Sequence, residues 1–220
     1  MKGRLERGGF LLYNIYMGKK NKNKADEPQQ VTKTEIEIIL DLLEKTLDKE
    51  GDIVEFGCYR GDTSVLMKRL LEKNNSEKIL WLYDSFEGLP AKTREDSSVA
   101  GDQFKAGELL VTKREVIEKF KRNGLRLPKI KKGFFEDLNP EEDVPEKIAF
   151  AFLDGDLYTS IKTSFKLVEN RISKGGIIIV HDYNNPELPG SSRAVDEWLK
   201  VHNDKTLEVK ETLAIISHFE

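Results

Sequence analysis

Cysteine is almost absent from this chain: Cys58 is the only one among 220 residues. A lone cysteine cannot form an intrachain disulfide, so the composition is typical of a reducing compartment and predicts a cytoplasmic protein. Long apolar runs are missing as well. The N-terminal run at residues 10–17 is interrupted by Asn14 and is far shorter than the ~20 residues that cross a bilayer. The sequence therefore predicts neither a membrane anchor nor a signal peptide, and no membrane partner.

A strong excess of one charge is also lacking. The chain has 36 Lys and Arg against 39 Asp and Glu, a formal net charge of −3, so no overall positive field attracts nucleic acid. The length fits a single α/β domain, which we expect at residues 32–220, after an N-terminal extension and linker at residues 1–31. The apolar residues at 10–16 need cover, so we expect them to pack on a partner subunit in a homodimer.

Helical and strand patterns alternate along the chain. The predicted helices cover residues 36–47, 63–71, 108–123, 158–172 and 191–202, and the predicted strands cover residues 53–56, 78–83, 129–132, 148–153, 177–180, 207–209 and 213–217. This order predicts a doubly wound α/β fold with a mostly parallel seven-stranded sheet. Too few residues separate the last two strands for a helix, so we expect a C-terminal antiparallel hairpin. The long polar segment at residues 85–107 is a candidate lid.

The first strand runs into a glycine-containing turn, Glu55-Phe-Gly-Cys-Tyr-Arg-Gly61. Glycines let a backbone approach a ligand closely, and the helix that follows presents free N–H groups. The spacing Glu-x-Gly-x-x-x-Gly differs from the G-x-G-x-x-G pattern of dinucleotide sites and favours S-adenosylmethionine as the cofactor. The cofactor-binding residues assigned to this segment are Glu55, Gly57, Cys58, Tyr59, Gly61, Thr63 and Ser64.

Two later strands end in residues that suit a nucleoside. An acid after the second strand accepts hydrogen bonds from ribose hydroxyls in nucleotide-binding folds, although a turn aspartate is the alternative interpretation. An aromatic ring after the third strand can lie against adenine, and simple core packing is the alternative. The cofactor residues predicted at these two positions are Asp84, Ser85, Phe86, Gly133, Phe134 and Phe135.

Carboxylates and an imidazole follow two further strands, at Asp154, Asp156, His181 and Asp182. Their mutual repulsion is costly unless a cation lies between them. Oxygen ligands favour Mg²⁺, and an imidazole also admits Mn²⁺ or another first-row metal. Neighbours on an extended strand point in opposite directions, so His181 and Asp182 reach one ion only where the chain has bent. The alternative is that one acid caps the following helix and the others are solvated.

We therefore predict that Asp154, His181 and Asp182 bind a divalent cation. Asp154 also belongs to the predicted cofactor site. The residues predicted to remove a proton from the acceptor are Asp154, Asp156 and His181, since each would stand close to the cation. Tyr158, Tyr183 and Arg193 are the candidates for contacting the acceptor.

Together these segments resemble the macrocin O-methyltransferase family, class I S-adenosylmethionine-dependent enzymes that methylate sugar hydroxyls in natural products. The resemblance covers roughly residues 50–200, and its specific strings are Tyr83-Asp-Ser-Phe-Glu-Gly-Leu-Pro90 and Leu153-Asp-Gly-Asp-Leu-Tyr158. It implies that Asp154 and Asp182 match the Mg²⁺ ligands of the family. The residue before the last ligand is usually acidic there and is His181 here.

The predicted function is Mg²⁺-dependent methylation by S-adenosylmethionine of a hydroxyl on a small molecule. The expected acceptor is a sugar or a vicinal diol of a glycoside or natural product, because a diol can chelate the cation. Two alternatives stay open at this point. A Rossmann-type NAD oxidoreductase shares the strand–turn–helix opening, and a non-catalytic descendant would bind the cofactor without transferring its methyl group.

Overall fold

A computed structural model describes residues 30–219, which form a seven-stranded sheet between two layers of helices. The strands are β1 (Asp52–Phe56), β2 (Leu80–Asp84), β3 (Lys129–Lys132), β4 (Ile148–Leu153), β5 (Ile172–Val180), β6 (Thr206–Lys210) and β7 (Leu213–Ser217). The helices are α1 (Lys33–Lys45), α2 (Asp62–Lys73), α3 (Lys113–Arg122), α4 (Pro140–Asp143), α5 (Tyr158–Val168) and α6 (Pro189–Val201), with 3₁₀ turns at Arg94–Asp96 and Phe135–Asp137.

The strand order is β3-β2-β1-β4-β5-β7-β6. The first five strands pair in parallel, whereas β7 runs antiparallel to both β5 and β6. This arrangement confirms the predicted doubly wound sheet and its C-terminal hairpin. The order reverses between β1 and β4, and such a switch point leaves a crevice at the carboxyl ends of the strands. The fold therefore places the first glycine turn beside the acids that follow β4.

Two hydrophobic cores cover the two faces of the sheet. On one face, α1, α2 and α3 pack on alternate strand residues such as Ile53 and Phe152. On the other face, α5 and α6 pack on the intervening residues, such as Val54 and Leu153. Because strand side chains alternate between faces, each central strand must be apolar throughout, which explains the uninterrupted apolar sequence of β4.

Helix α3 begins later than the pattern predicted, after Thr112 and not at Glu108. The Thr112 hydroxyl accepts a hydrogen bond from the Glu115 backbone N–H at 3.2 Å, and the Glu115 carboxylate accepts one from the Thr112 N–H at 2.8 Å. This reciprocal pair is a capping box, a stronger start signal than the apolar spacing that suggested residue 108.

Helix α5 is shorter than predicted, and β5 is longer. The helix ends at Val168 and the strand begins at Ile172, so Gly175 and Gly176 lie inside β5 instead of ending a helix. The pairing of β5 with β4 shifts register near these glycines, and Gly175 has φ +74°. An irregular strand that needs a left-handed residue favours glycine, which explains their position.

No helix within residues 30–219 is both long enough and apolar enough to cross a membrane. Of the predicted extension and linker at residues 1–31, only the last two residues are described, and the apolar segment at 10–16 lies outside the described residues. The domain boundary and the homodimer therefore stay predictions.

The capping box makes a prediction about where α3 begins. We expect Thr112→Ala to lower the free energy of unfolding by about 1 kcal/mol, because it removes the cap from an orphan helix N–H. Glu108→Ala, four residues before the cap, should change it by less than about 0.5 kcal/mol, as most surface substitutions do. Urea unfolding of both variants measures the difference. An equal loss in Glu108→Ala would place the helix start at residue 108 after all.

Candidate active site

A cleft opens at the carboxyl ends of β1, β2 and β4. Its unfilled volume is about 660 Å³, including the part open to solvent. The chain segments that surround it are the glycine turn, the start of the 85–107 segment, the Phe135–Asp137 turn and the loop after β4. The predicted site residues along its wall are Gly57, Tyr59, Asp84, Ser85, Phe134, Phe135, Asp154 and Asp156.

The remaining predicted cofactor residues lie behind or beside this wall. Glu55 is buried and accepts a hydrogen bond from the Ser64 hydroxyl. Burial, reinforced by the nearby charges of Asp154 and Asp84, raises the pKa of Glu55 to about 8. The same effect of burial raises the pKa of the Cys58 thiol, which makes it a poor nucleophile. The predicted cofactor residues outside the described wall of the cleft are Glu55, Cys58, Gly61, Thr63, Ser64, Phe86 and Gly133.

Each of four strands that bound the site is followed by a non-glycine residue in the left-handed region. These residues are Tyr59 (φ +44°) after β1, Phe86 (φ +52°) after β2, Asp156 (φ +59°) after β4 and Asp182 (φ +61°) after β5. Such conformations cost about 1–3 kcal/mol each and persist where the surrounding structure enforces them. Four of the nine non-glycine residues with positive φ in the described part of the chain therefore lie at the edge of the sheet that carries the cleft.

Gly57 brings the turns after β1 and β4 into direct contact. A Cβ atom added to Gly57 would lie 1.9 Å from the carbonyl oxygen of Asp154, and the residue has φ +88°. Only glycine satisfies both constraints. The Asp154 N–H donates a hydrogen bond to Phe56 O at 2.8 Å and so fixes this approach, and the Gly57 N–H donates to Tyr83 O on β2 at 2.8 Å.

Asp84 joins the turns after β1 and β2. Its Oδ2 accepts a hydrogen bond from the Tyr59 N–H and its Oδ1 accepts one from the Phe86 N–H, both at 2.8 Å. Burial raises the pKa of Asp84 above its usual value, against the effect of these two donors. The carboxylate thus holds the turns after β1 and β2 together at the wall of the cleft.

Asp154, His181 and Asp182 meet in a compact group, which we call the acid–imidazole centre. One ligating atom from each lies within 4.8 Å of the others. The His181 Nδ1 is 2.9 Å from Asp154 Oδ1 and 2.9 Å from Asp182 Oδ2. The chain leaves β5 at Val180 and bends at Asp182, so two successive side chains converge on one point, as the sequence interpretation required.

The chemistry of the acid–imidazole centre fits a divalent cation. Two carboxylates and one imidazole supply hard oxygen ligands and a borderline nitrogen ligand. Burial by itself lowers the pKa of His181, but Asp154, Asp182 and Glu35 together raise it well above its usual value. A positive charge between the two carboxylates therefore stabilises them, and either a proton on the imidazole or a bound cation supplies it.

Asp156 stands beside this centre, half-buried on the wall of the cleft. Burial raises the pKa of its carboxyl group well above the usual value, and the neighbouring Asp154 and Asp182 add to the effect. A carboxylate with a raised pKa is a stronger base than an ordinary one.

Glu35 is a site residue that the sequence analysis missed. It is 2% exposed, and its Oε2 lies 2.8 Å from the Thr32 N–H nitrogen and 3.6 Å from His181 Nε2. The Thr212 hydroxyl donates to its other oxygen. The Thr32-x-x-Glu35 capping box was a readable signal for the helix start. No feature of the sequence predicted the contact between Glu35 and His181.

Asp96 was missed as well, and it anchors the 85–107 segment. The residue is 2% exposed, and its Oδ1 accepts a hydrogen bond from the Tyr158 N–H at 2.7 Å while its Oδ2 accepts one from the Thr93 N–H at 2.8 Å. Because Tyr158 is the first residue of α5, Asp96 caps the helix that follows Asp154 and Asp156. The candidate lid is thus fastened to the loop that carries the acids.

The three residues predicted to contact the acceptor point elsewhere in this structure. The Tyr158 hydroxyl donates to Glu197 Oε2 at 2.6 Å, and the Tyr183 hydroxyl donates to Asp196 at 2.8 Å. Arg193 donates to the Glu95 carbonyl. The described wall of the cleft includes none of the three, so their role in acceptor binding stays a prediction.

The family model described as Macrocin-O-methyltransferase (TylF) matches residues 15–214 of this chain. The match confirms the resemblance that the sequence motifs indicated, and it begins well before residue 50, where that resemblance started.

Two curated relatives are similar to parts of the chain. The 8-demethyl-8-(2,3-dimethoxy-alpha-L-rhamnosyl)-tetracenomycin-C 4'-O-methyltransferase of Streptomyces olivaceus is 33% identical over 140 residues, 60% of this chain and 53% of that protein. The demethyldecarbamoylnovobiocin O-methyltransferase of Streptomyces niveus is 33% identical over 156 residues, 67% and 58% respectively. The chain thus spans somewhat more than half the length of these relatives.

Two solved structures share the fold. The O-methyltransferase NovP superposes with a TM-score of 0.76 and 23% identity, covering 98% of each chain. CalS11, a calicheamicin methyltransferase, superposes with a TM-score of 0.68 and 18% identity, covering 100% of this chain and 95% of the other.

Asp96 provides a test of the anchored lid. We expect Asp96→Ala to lower the free energy of unfolding by about 1–3 kcal/mol, because it leaves the Tyr158 N–H without its partner. Asp102→Ala removes an exposed carboxylate from the same segment and should cost less than about 1 kcal/mol, as its ion pairs with Lys92 and Lys105 are on the surface. Urea unfolding compares the two. Equal losses would mean that Asp96 is not the anchor.

Proposed function

Because the chain belongs to the macrocin O-methyltransferase family, we propose that it transfers the methyl group of S-adenosylmethionine to a hydroxyl of a sugar or vicinal diol in a glycoside natural product. The observation that carries the proposal is the position of Asp154, which lines the cleft and also belongs to the acid–imidazole centre. One site can thus hold a methyl donor and a hydroxyl acceptor side by side. The names of the curated relatives, both O-methyltransferases, support the same reaction.

The cofactor would lie across the turn after β1. In this proposal the backbone at Gly57, which lines the cleft, receives the methionine part. The Asp84 carboxylate, which lines the cleft, would accept hydrogen bonds from the ribose hydroxyls. Phe134 or Phe135 would lie against the adenine, and Phe135 is held in place edge-on by Phe56, with ring centroids 5.2 Å apart.

The acid–imidazole centre would hold Mg²⁺ or another divalent cation through Asp154, His181 and Asp182. When bound, such an ion would lower the pKa of a neighbouring hydroxyl and hold it in place. The burial of His181 and Asp182 supports this proposal, because it keeps water from screening the ligands.

Asp156 is the residue that we propose to take the proton from the acceptor hydroxyl. It lines the cleft, whereas Asp154 and Asp182 are engaged with His181. A carboxylate at this position can accept a proton from a hydroxyl held in the cleft. The other contribution to the rate of methyl transfer is alignment. The cleft wall and the anchored lid segment would hold the acceptor oxygen behind the methyl group and exclude water.

The cofactor assignment is tested by calorimetric titration. We expect S-adenosylmethionine to bind and NADH not to bind, since the glycine turn does not have dinucleotide spacing. Asp84→Ala should weaken S-adenosylmethionine binding by roughly 10- to 100-fold, the value of hydrogen bonds to a charged group. Asp62→Ala, an exposed acid on α2 that pairs with Lys119, is the matched control. NADH binding, or unchanged affinity in Asp84→Ala, would argue against this assignment.

The metal and base assignments are tested with a panel of sugars and catechols. Chelator should abolish methyl transfer to any acceptor found, and Mg²⁺ should restore it. Asp156→Asn should lower kcat by roughly 10²- to 10⁴-fold, the usual contribution of a general base, and leave metal affinity unchanged. Asp137→Asn, an exposed acid beside the cleft, is the charge-matched control. Full activity in excess chelator would remove the metal from the proposal, and normal kcat in Asp156→Asn would remove the base.

A further inference from the structure

The imidazole of His181 lies between two sets of carboxylates. On one side, its Nδ1 is 2.9 Å from both Asp154 and Asp182. On the other side, its Nε2 is 3.6 Å from the buried carboxylate of Glu35. An imidazole has one nitrogen on each of these sides, so an acid at Nε2 determines which nitrogen is left for the acid–imidazole centre.

We propose that Glu35 is a positioning residue that holds His181 with Nδ1 turned toward Asp154 and Asp182, where it completes the ligand set for a first-row divalent cation. This inference rests on the proposed function, because it concerns the cation site described there. Histidine ligands commonly donate their second ring N–H to a carboxylate, which orients the ring and raises its basicity. Glu35 stands in the position of such a carboxylate.

Glu35 is itself held from two distant parts of the chain. The Thr32 N–H at the start of α1 donates to its Oε2 at 2.8 Å. The Thr212 side chain, in the turn between β6 and β7, donates to its Oε1. The carbonyl of the same Thr212 accepts the Tyr183 N–H at 2.7 Å, next to Asp182. The N-terminal helix and the C-terminal hairpin therefore meet at the back of the acid–imidazole centre.

His181 has little other freedom. The backbone N–H of His181 donates a hydrogen bond to Leu153 O at 3.0 Å, and its backbone carbonyl accepts one from the Ser191 hydroxyl at 2.7 Å. The Phe152 ring lies edge-on to the imidazole, with ring centroids 6.2 Å apart. The backbone is thus fixed, and rotation of the ring is the movement that remains. A carboxylate behind Nε2 opposes that rotation.

An imidazole ligand in this place affects the choice of ion. Mg²⁺ prefers oxygen ligands, whereas imidazole suits first-row transition metals, and a site that offers both favours Mn²⁺ relative to an all-oxygen site. We therefore expect the wild-type protein to bind Mn²⁺ through nitrogen, and we expect that nitrogen bond to depend on Glu35.

The test is titration of the wild-type protein and its variants with Mn²⁺. Electron paramagnetic resonance counts free Mn²⁺, and electron spin-echo modulation detects ¹⁴N from an imidazole bound to it. We expect Glu35→Ala to raise the Mn²⁺ Kd by roughly 10- to 100-fold and to lose the ¹⁴N signal. Glu35→Gln keeps an acceptor oxygen behind the ring, so it should retain part of the Mn²⁺ affinity and part of the ¹⁴N signal. It also replaces Glu35→Ala as the test variant if Glu35→Ala does not fold. Thr112→Ala, which removes the capping hydroxyl of α3 and leaves every contact of Glu35 in place, should keep both the affinity and the signal.

Each outcome decides one claim. If His181→Ala loses the ¹⁴N signal while Glu35→Ala retains it with wild-type Mn²⁺ affinity, the positioning role of Glu35 is wrong and the proposed metal site stands. If the wild-type protein binds no Mn²⁺, the metal site of the proposed function is itself wrong. If Thr112→Ala weakens Mn²⁺ binding as much as Glu35→Ala, a general loss of stability explains the effect and the inference fails.

Discussion

The close contact between the turns after β1 and β4 is the constraint on which the site depends. Gly57 touches the Asp154 carbonyl so closely that a Cβ atom would lie 1.9 Å away. Since the strand order reverses between these two strands, their loops diverge to opposite faces and leave the cleft between them. If the two turns lay farther apart, Asp154 could not both line the cleft beside the glycine turn and belong to the acid–imidazole centre.

The acids at one edge of the sheet repel one another, and specific hydrogen-bond donors offset this electrostatic cost. Asp84 has two backbone donors, Glu55 has the Ser64 hydroxyl, and Asp154 has His181. Left-handed residues after four strands turn the chain sharply at this edge. Burial without partners would be prohibitive for these carboxylates, so the donors and the strained turns are parts of one arrangement.

Two buried acids outside the cleft extend that arrangement into the rest of the molecule. Asp96 ties the candidate lid to the start of α5, and Glu35 ties α1 and the β6–β7 turn to His181. In both cases a capping-type carboxylate at a helix or 3₁₀ turn also reaches a distant segment. Two residues outside the described wall of the cleft, Asp96 and Glu35, therefore help to hold the segments that carry the acids of the site.

The sequence by itself determined the doubly wound sheet, its C-terminal hairpin and the strand ends at which the site lies. These follow from local periodicity, because apolar spacing sets each element and parallel strands bring their carboxyl ends to one edge. Local pattern was less reliable at boundaries: it missed the capping box at Thr112 and took Gly175 and Gly176 as a helix end when they lie within β5.

Only the tertiary structure decided which of the predicted residues line the cleft and what stands behind them. The convergence of His181 and Asp182 requires the bend at Asp182, and the contact of His181 with Glu35 joins segments far apart in the chain. Tyr158, Tyr183 and Arg193 are directed to partners on α6 or in the 85–107 segment. Sequence spacing describes neighbours along one element, whereas these contacts depend on how separate elements pack.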